Sequence, residues 1–195
     1  LLIERAGSEP AAFSLASAPH CGRELELHIL GREASSLELL AQLQRDGLAR
    51  IQLPFGDTHL AELPEGPLVL IAAGTGMAQM HSLIEHCRAA GFKYPVHLYW
   101  GARTAADFYE LPHWQEWQTL ANLRVQRVVS EDPHWPGRRG LLHAAVREDF
   151  ADLKPLHVYA SGSPGMVYAT LDALVEAGMD AQQMRADVFA YAPRD

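Results

Sequence analysis

Residues 67–86 read PLVLIAAGTGMAQMHSLIEH, and their pattern is that of a buried strand, a glycine turn and a helix. Leu68, Val69, Leu70, Ile71 and Ala72 form an unbroken apolar run bounded by Gly66-Pro67 and by Gly74-Thr75-Gly76. A run this short, without alternation, predicts a parallel strand covered on both faces. Met77, Met80, Leu83, Ile84 and Cys87 then recur at helical spacing, and Gly91 supplies a residue that tolerates positive φ just past the helix end. A strand running through small residues into a helix aims free backbone N–H groups and the positive end of the helix dipole at one spot, which suits an anion. Gly74 and Gly76 let a phosphate approach the main chain, and Thr75 adds a hydroxyl donor. Taken alone, GTG is equally what a tight strand–helix turn needs for steric reasons.

Outward from this stretch the two flanks differ. Downstream, the pattern predicts strands at Leu68–Ala73, Val96–Gly101, Arg124–Ser130, His157–Ser161 and Arg185–Tyr191, with helices at Met77–Ala90, Trp114–Ala121, Leu141–Phe150 and Pro164–Ala177. Five strands with intervening helices make a five-stranded, doubly wound parallel sheet, which takes ligands beyond the carboxyl ends of its strands. Upstream, Leu25, Leu27 and Ile29 alternate with Glu24, Glu26 and His28, the period of a half-buried antiparallel strand. Phe13–Ser17 and Ala49–Leu53 read the same way, with a short helix at Ser36–Leu43. The expected organisation is a partial antiparallel β-barrel over residues 1–63 and an α/β domain over 64–195. The chain opens on Leu1-Leu2-Ile3 with no initiator Met, as though in mid-strand, so preceding residues are expected.

Composition narrows the function. Sixteen Lys and Arg against 24 Asp and Glu give a net charge of −8, which argues against nucleic acid or an anionic membrane as partner. No apolar run reaches membrane-spanning length and no signal-like segment opens the chain, so the cytoplasm is the default location. Cys21 and Cys87 are too few for an iron–sulfur cluster, so an organic cofactor would carry any electrons. The ten histidines lack metal-ligand spacing, and no metal site is expected. Gly162-Ser163-Pro164-Gly165 does not match the nucleophile turn of a serine hydrolase. Ser161 is also placed to cap the helix that follows.

Taken together, FSLAS (Phe13–Ser17), ELHI (Glu26–Ile29), FGDTHL (Phe55–Leu60), AAGTG (Ala72–Gly76), VHLYWGAR (Val96–Arg103), GRRG (Gly137–Gly140), SGSPGMV (Ser161–Val167) and DVFAY (Asp187–Tyr191) resemble, in order and spacing, the flavin reductase branch of the ferredoxin–NADP reductase superfamily. The resemblance implies an N-terminal barrel holding FAD or FMN, an α/β domain holding NADH or NADPH, and hydride transfer between them. It places Phe13 against the isoalloxazine, Ser14 near its N5, and His28 and Ile29 along the ribityl chain. Gly74, Thr75 and Gly76 would cradle the nucleotide pyrophosphate. Ser161 stands where many relatives carry Cys beside the nicotinamide, with Gly162, Ser163, Pro164 and Met166 over the nucleotide, and Asp187 falls in the final strand near the flavin edge. Ser14 and Ser161 are the catalytic candidates; Ser17, Ser36, Met77, Arg103 and Ser130 complete the cofactor-binding set.

Three departures carry expectations. Ala11 stands where relatives have Arg, so flavin should be loosely held. Ala73 and Gln79 replace a usual Gly and Pro. Ser130 is followed by Glu131 and Asp132 rather than the Arg that meets a 2′-phosphate, so NADH should serve at least as well as NADPH. The implied function is hydride transfer from NAD(P)H to flavin and onward to an acceptor, with an acceptor protein as a possible partner. The alternatives are a non-catalytic nucleotide-binding relative and a reductase domain working with a separate iron–sulfur protein.

Overall fold

A computed structural model describes residues 1–194. The α/β half is built on β4 (Leu68–Ala73), which lies at the centre of a six-stranded parallel sheet. Its neighbours are β5 (Val96–Ala102), β6 (Leu123–Val129) and β7 (Arg138–Arg139) on one side, with β8 (His157–Ser161) and β9 (Met184–Arg185) on the other. The chain adds strands outward to β7 and then returns to pair β8 with β4, so strand order reverses at the end of β4, where a ligand crevice forms in such sheets.

Both faces of β4 are sealed. Leu68, Leu70 and Ala72 pack with Met77, Met80, Leu83, Ile84 and Cys87 of α2 (Met77–Ala89). Val69 and Ile71 pack with α4 (Leu142–Asp149) and α5 (Pro164–Glu176). The helical spacing of the α2 apolar residues is thus borne out, and Gly91 takes φ 68° just past its end. Burial pushes the Cys87 thiol up to about 11, so Cys87 acts as a packing residue.

The sheet has six strands rather than five. The short β7 pairs with the end of β6 at Val128 and Val129, and two residues of pattern are too few to announce it. The last strand is also much shorter than its sequence suggests: it stops at Arg185, and Val188–Tyr191 form a short helical turn, α6. Val188 still enters the core, because a four-residue apolar run satisfies either period. Asp187 consequently stands immediately before α6, with no capping hydrogen bond from its side chain, instead of lying in a strand.

The N-terminal half holds a three-stranded antiparallel sheet, β2 (Ser8–Ala12), β1 (Leu2–Arg5) and β3 (Ile51–Gln52). A helix, α1 (Ala34–Asp46), is closed by Gly47 at φ 65°. The strand expected over Phe13–Ser17 is absent, since pairing ends at Ala12. That expected over Ala49–Leu53 shrinks to its two central residues. Leu25–Ile29 is no strand either; it is tied to a neighbouring segment by Ala16 N–H donating to the Glu26 carbonyl at 2.8 Å and by Glu26 N–H donating to the Ser17 hydroxyl at 3.1 Å. Leu27 and Ile29 do turn inward against Leu1, Ile3 and Leu39. The alternation therefore holds for burial at Leu27 and Ile29 only: Leu25 is 41% exposed and the His28 side chain is only 10% exposed, and the ladder depended on a neighbouring strand that does not lie beside it.

Candidate functional site

The turn after β4 divides its two glycines by role. Gly74 adopts φ +54°, which a side chain would strain, and a Cβ there would meet nothing within 4 Å. Its surface is open to a ligand. Gly76 lies at φ −55°, and a Cβ on it would collide with the Ser161 carbonyl oxygen. The bareness of Gly76 thus lets the start of α2 pack onto β8, a steric demand that stands beside the phosphate contact expected from the sequence. Gly162 is similarly constrained, its missing Cβ lying 3.0 Å from Ala73 Cβ. Met77 is buried beneath the turn. No side chain caps α2, and the tight helical turn Gly74–Gly76 runs straight into it, Met77 N–H donating to the Gly74 carbonyl, so the N–H groups offered to a ligand are those of the glycine turn itself.

A cleft of about 570 Å³ opens over this rim. It gathers Gly74, Thr75, Arg103, Ser130 and Met166 of the residues expected from sequence. The others lie outside its lining: Phe13, Ser14, Ser17, His28, Ile29, Ser36, Gly76, Met77, Ser161, Gly162, Ser163, Pro164 and Asp187. Sequence reasoning missed Leu30, Arg32, Thr104, Asp107, Tyr109 and Leu142, which also line it. The position of Thr104–Asp107 after the second strand of a parallel sheet was an available signal; Leu30 and Arg32 are brought in by tertiary packing alone.

Charge at the mouth is organised in two pairs. Arg103 donates to both Glu131 oxygens at 2.8 Å, which raises the guanidinium's pKa and lowers the carboxyl's. Glu131 is therefore largely neutralised. Asp132 accepts from its own loop at His134 N–H, 2.8 Å. Arg32 donates to Asp107 Oδ1 at 2.8 Å, while Thr104 donates its N–H and hydroxyl to Asp107 Oδ2. These donors, Arg32 first, hold the Asp107 carboxyl at about 2. Arg127 is withdrawn into an aromatic cage, 4.1 Å over Trp114 of the one-turn helix α3 (Trp114–Trp117), and Arg138 is committed to Glu148 and Asp149.

In the N-terminal half, Phe13 packs against the small core. The Ser17 hydroxyl accepts from Glu26 N–H, and Ser36 sits in the first turn of α1. Tyr109 OH donates to His28 Nδ1 at 2.7 Å, and Glu26 Oε1 accepts from His28 Nε2 at 3.2 Å, so His28 bridges the two halves. Asp187 accepts from Gln79 Nε2, which also donates to the Thr58 carbonyl. Gln79 thus ties the N-terminal half to α2 and α6, a link that a Pro there could not make. Leu27–Leu30 belong to no β-ladder, and such unladdered peptide groups fit the ribityl hydroxyls and phosphate of a flavin. The cap of α5 is Ser163, accepting from Met166 N–H at 3.4 Å, rather than Ser161. Among the described residues no group of His, Cys, Asp or Glu could hold a metal, and no helix is long and apolar enough to cross a membrane.

A parallel sheet with a glycine turn at its switch point, an anion-ready helix start and a cleft shared with a small β unit defines a nucleotide-binding α/β protein. Residues 70–172, just over half the chain, match the oxidoreductase NAD-binding domain family. The chain is 36% identical over 202 residues to the NAD(P)H-flavin reductase of Vibrio harveyi, covering 98% of this chain and 85% of that protein. It is 32% identical over 190 residues to a probable flavin reductase of Photobacterium leiognathi, covering 92% and 80%. The structure superposes on the Amycolatopsis cytochrome P450 reductase GcoB with a TM-score of 0.81 at 30% identity, covering 95% of this chain and 58% of that one. It shares the fold of a ferredoxin NADP+ reductase from Neisseria gonorrhoeae with bound FAD and NADP, at a TM-score of 0.68 and 16% identity, over 95% and 84% of the chains. The chain belongs to the flavin reductase branch of the ferredoxin–NADP reductase superfamily and is an NAD(P)H-dependent flavin oxidoreductase.

Proposed function

We propose that this chain binds NADH or NADPH along the cleft over Gly74-Thr75-Gly76, holds flavin loosely on the Phe13 and Leu27–Leu30 side, and delivers electrons to a separate acceptor. The observation that carries the reading is the open, positive-φ Gly74 at the start of an uncapped helix. There the main chain presents donors to a pyrophosphate without a side chain in the way. Flavin, when bound, accepts hydride at N5 and releases electrons onward. The protein's part is positional: Thr75 and the start of α2 hold the anion, and Ser161, at the end of β8, stands beside the nicotinamide. Loose flavin binding is supported by Pro10-Ala11-Ala12, a segment without a cation. A charge-assisted hydrogen bond to phosphate is worth about 1.5–3 kcal/mol, or roughly ten- to a hundredfold in affinity.

The test is NADH oxidation with and without added FAD, FMN or riboflavin. The purified protein is expected to be nearly colourless and to turn over only with added flavin. Stoichiometric flavin retained through dialysis contradicts loose binding, and no turnover with any flavin favours a non-catalytic relative. Run with both coenzymes, the assay should show NADH at least matching NADPH. Because Arg103 already satisfies Glu131, the margin is expected to be small.

A further inference from the structure

Two guanidinium groups line the nucleotide cleft, and they differ in what binding a phosphate would cost them. Arg103 is held by two parallel hydrogen bonds to Glu131, which leave its Nη1 donors free but must both be given up before the group can turn toward a ligand. Arg32 makes one, to Asp107 Oδ1, and its side chain is 65% exposed, leaving its remaining donors in solvent. Its partner keeps other donors when Arg32 turns away, because Thr104 supplies two to the other Asp107 oxygen. Arg32 is also the cleft's cation from the N-terminal half, standing two residues past Leu30 in the unladdered segment. An arginine with a fork of donors, parked on an acid that is otherwise satisfied, can turn to a second anion without leaving a buried charge unpaired.

We propose that Arg32 is a phosphate-binding residue of the dinucleotide site, resting on Asp107 in the free protein and turning to the NAD(P)H pyrophosphate when the nucleotide enters. This rests on the nucleotide reading of the cleft given above. It also makes nucleotide binding a contact between the two halves, since Arg32 comes from one half and the glycine turn from the other.

The test compares the parent, Arg32→Gln and Asp107→Asn in the full chain, with affinities for NADH, reduced nicotinamide riboside, FMN and riboflavin measured by fluorescence titration. Arg32→Gln should weaken NADH about ten- to a hundredfold and leave reduced nicotinamide riboside, which has no phosphate, unchanged. Asp107→Asn, which removes the competing anion but keeps a side-chain acceptor for Thr104, should bind NADH several-fold more tightly. If Arg32 is only a tether between the halves, Asp107→Asn will weaken NADH as Arg32→Gln does, and the proposal fails. Equal losses for NADH and the phosphate-free riboside also overturn it, as does a loss on FMN with NADH and riboflavin untouched, which would assign Arg32 to the flavin phosphate. Should the parent itself show no affinity for NADH, the nucleotide reading fails and the assignment of Arg32 with it, whereas NADH binding that Arg32→Gln leaves intact overturns the assignment alone.

Discussion

In the α/β half, Leu68 through Ala72 are wholly sealed from solvent and both faces of the sheet are covered by helices. In the first 63 residues the buried apolar cluster is Leu1, Ile3 and Leu39, while Leu48 and Phe55 stand 72% and 58% exposed. The N-terminal half is fastened largely through polar ties to its neighbour. His81 Nδ1 meets the Ala16 carbonyl at 2.9 Å, Ser82 donates to the Ser17 carbonyl at 2.9 Å, and His28–Tyr109 and Arg32–Asp107 span the same seam. A half whose order depends on such ties opens more readily than one sealed by its own core. Because the cleft takes walls from both halves, the difference bears directly on nucleotide binding.

The sharpest way to break the comparison is to cut the strong core. Trp100 is fully buried on β5, and Trp100→Ala should cost about 3–5 kcal/mol in urea denaturation. Leu48→Ser, at an exposed site of the other half, should stay within about 0.5 kcal/mol. Comparable losses at the two sites would show that the halves do not differ as described.

A smaller effect is expected at Gly76. Gly76→Ala drives a methyl group toward the Ser161 carbonyl and should cost about 1–3 kcal/mol. Gly74→Ala, by contrast, should cost about 1 kcal/mol through its positive φ. NADH affinity measured on whatever folded Gly76→Ala remains should fall only as far as β8 shifts. A Gly76→Ala protein as stable as the parent, with NADH binding abolished, would favour the phosphate-contact reading of Gly76 over the packing one.

The smallest effect is one of pH at the seam. Burial pushes the His28 pKa below its ordinary value, with Glu26 opposing. The folded state then resists a proton that the unfolded chain accepts near pH 6.5. Stability contributed by neutral His28 is therefore present above that pH and falls as pH drops through it. Protonated Nδ1 can no longer accept from Tyr109. Protection factors for hydrogen exchange at Phe13–Ala18 and Glu26–Leu30, taken relative to the intrinsic rate at each pH, should fall between pH 7.5 and 5.5, and His28→Gln should flatten that dependence. His97 and His143 are lowered by burial as well, so global unfolding should keep a residual slope. An N-terminal exchange profile identical in parent and variant would remove His28 from the seam.

The amino-acid sequence by itself determined the α/β half and the family. A both-sides-buried strand needs a continuous apolar run, a helix needs its 3.6-residue stripe, and both signals are local, so Leu68–Ala72 and Met77–Cys87 were legible without coordinates. It also carried the glycine turn, because backbone freedom is a property of residue type. Only the tertiary structure decided which glycine needs its bareness for packing, since Gly74 and Gly76 are chemically identical and differ in φ and in whether Ser161 lies against them. It likewise decided that Leu25–Ile29 has no ladder, because a ladder requires a neighbour that alternation cannot supply. And it alone brought Arg32 to Asp107, 75 residues away, and Arg103 to Glu131. Ion pairs across a cleft depend on where two chain segments end in space, and nothing in either segment's own pattern encodes the other's position.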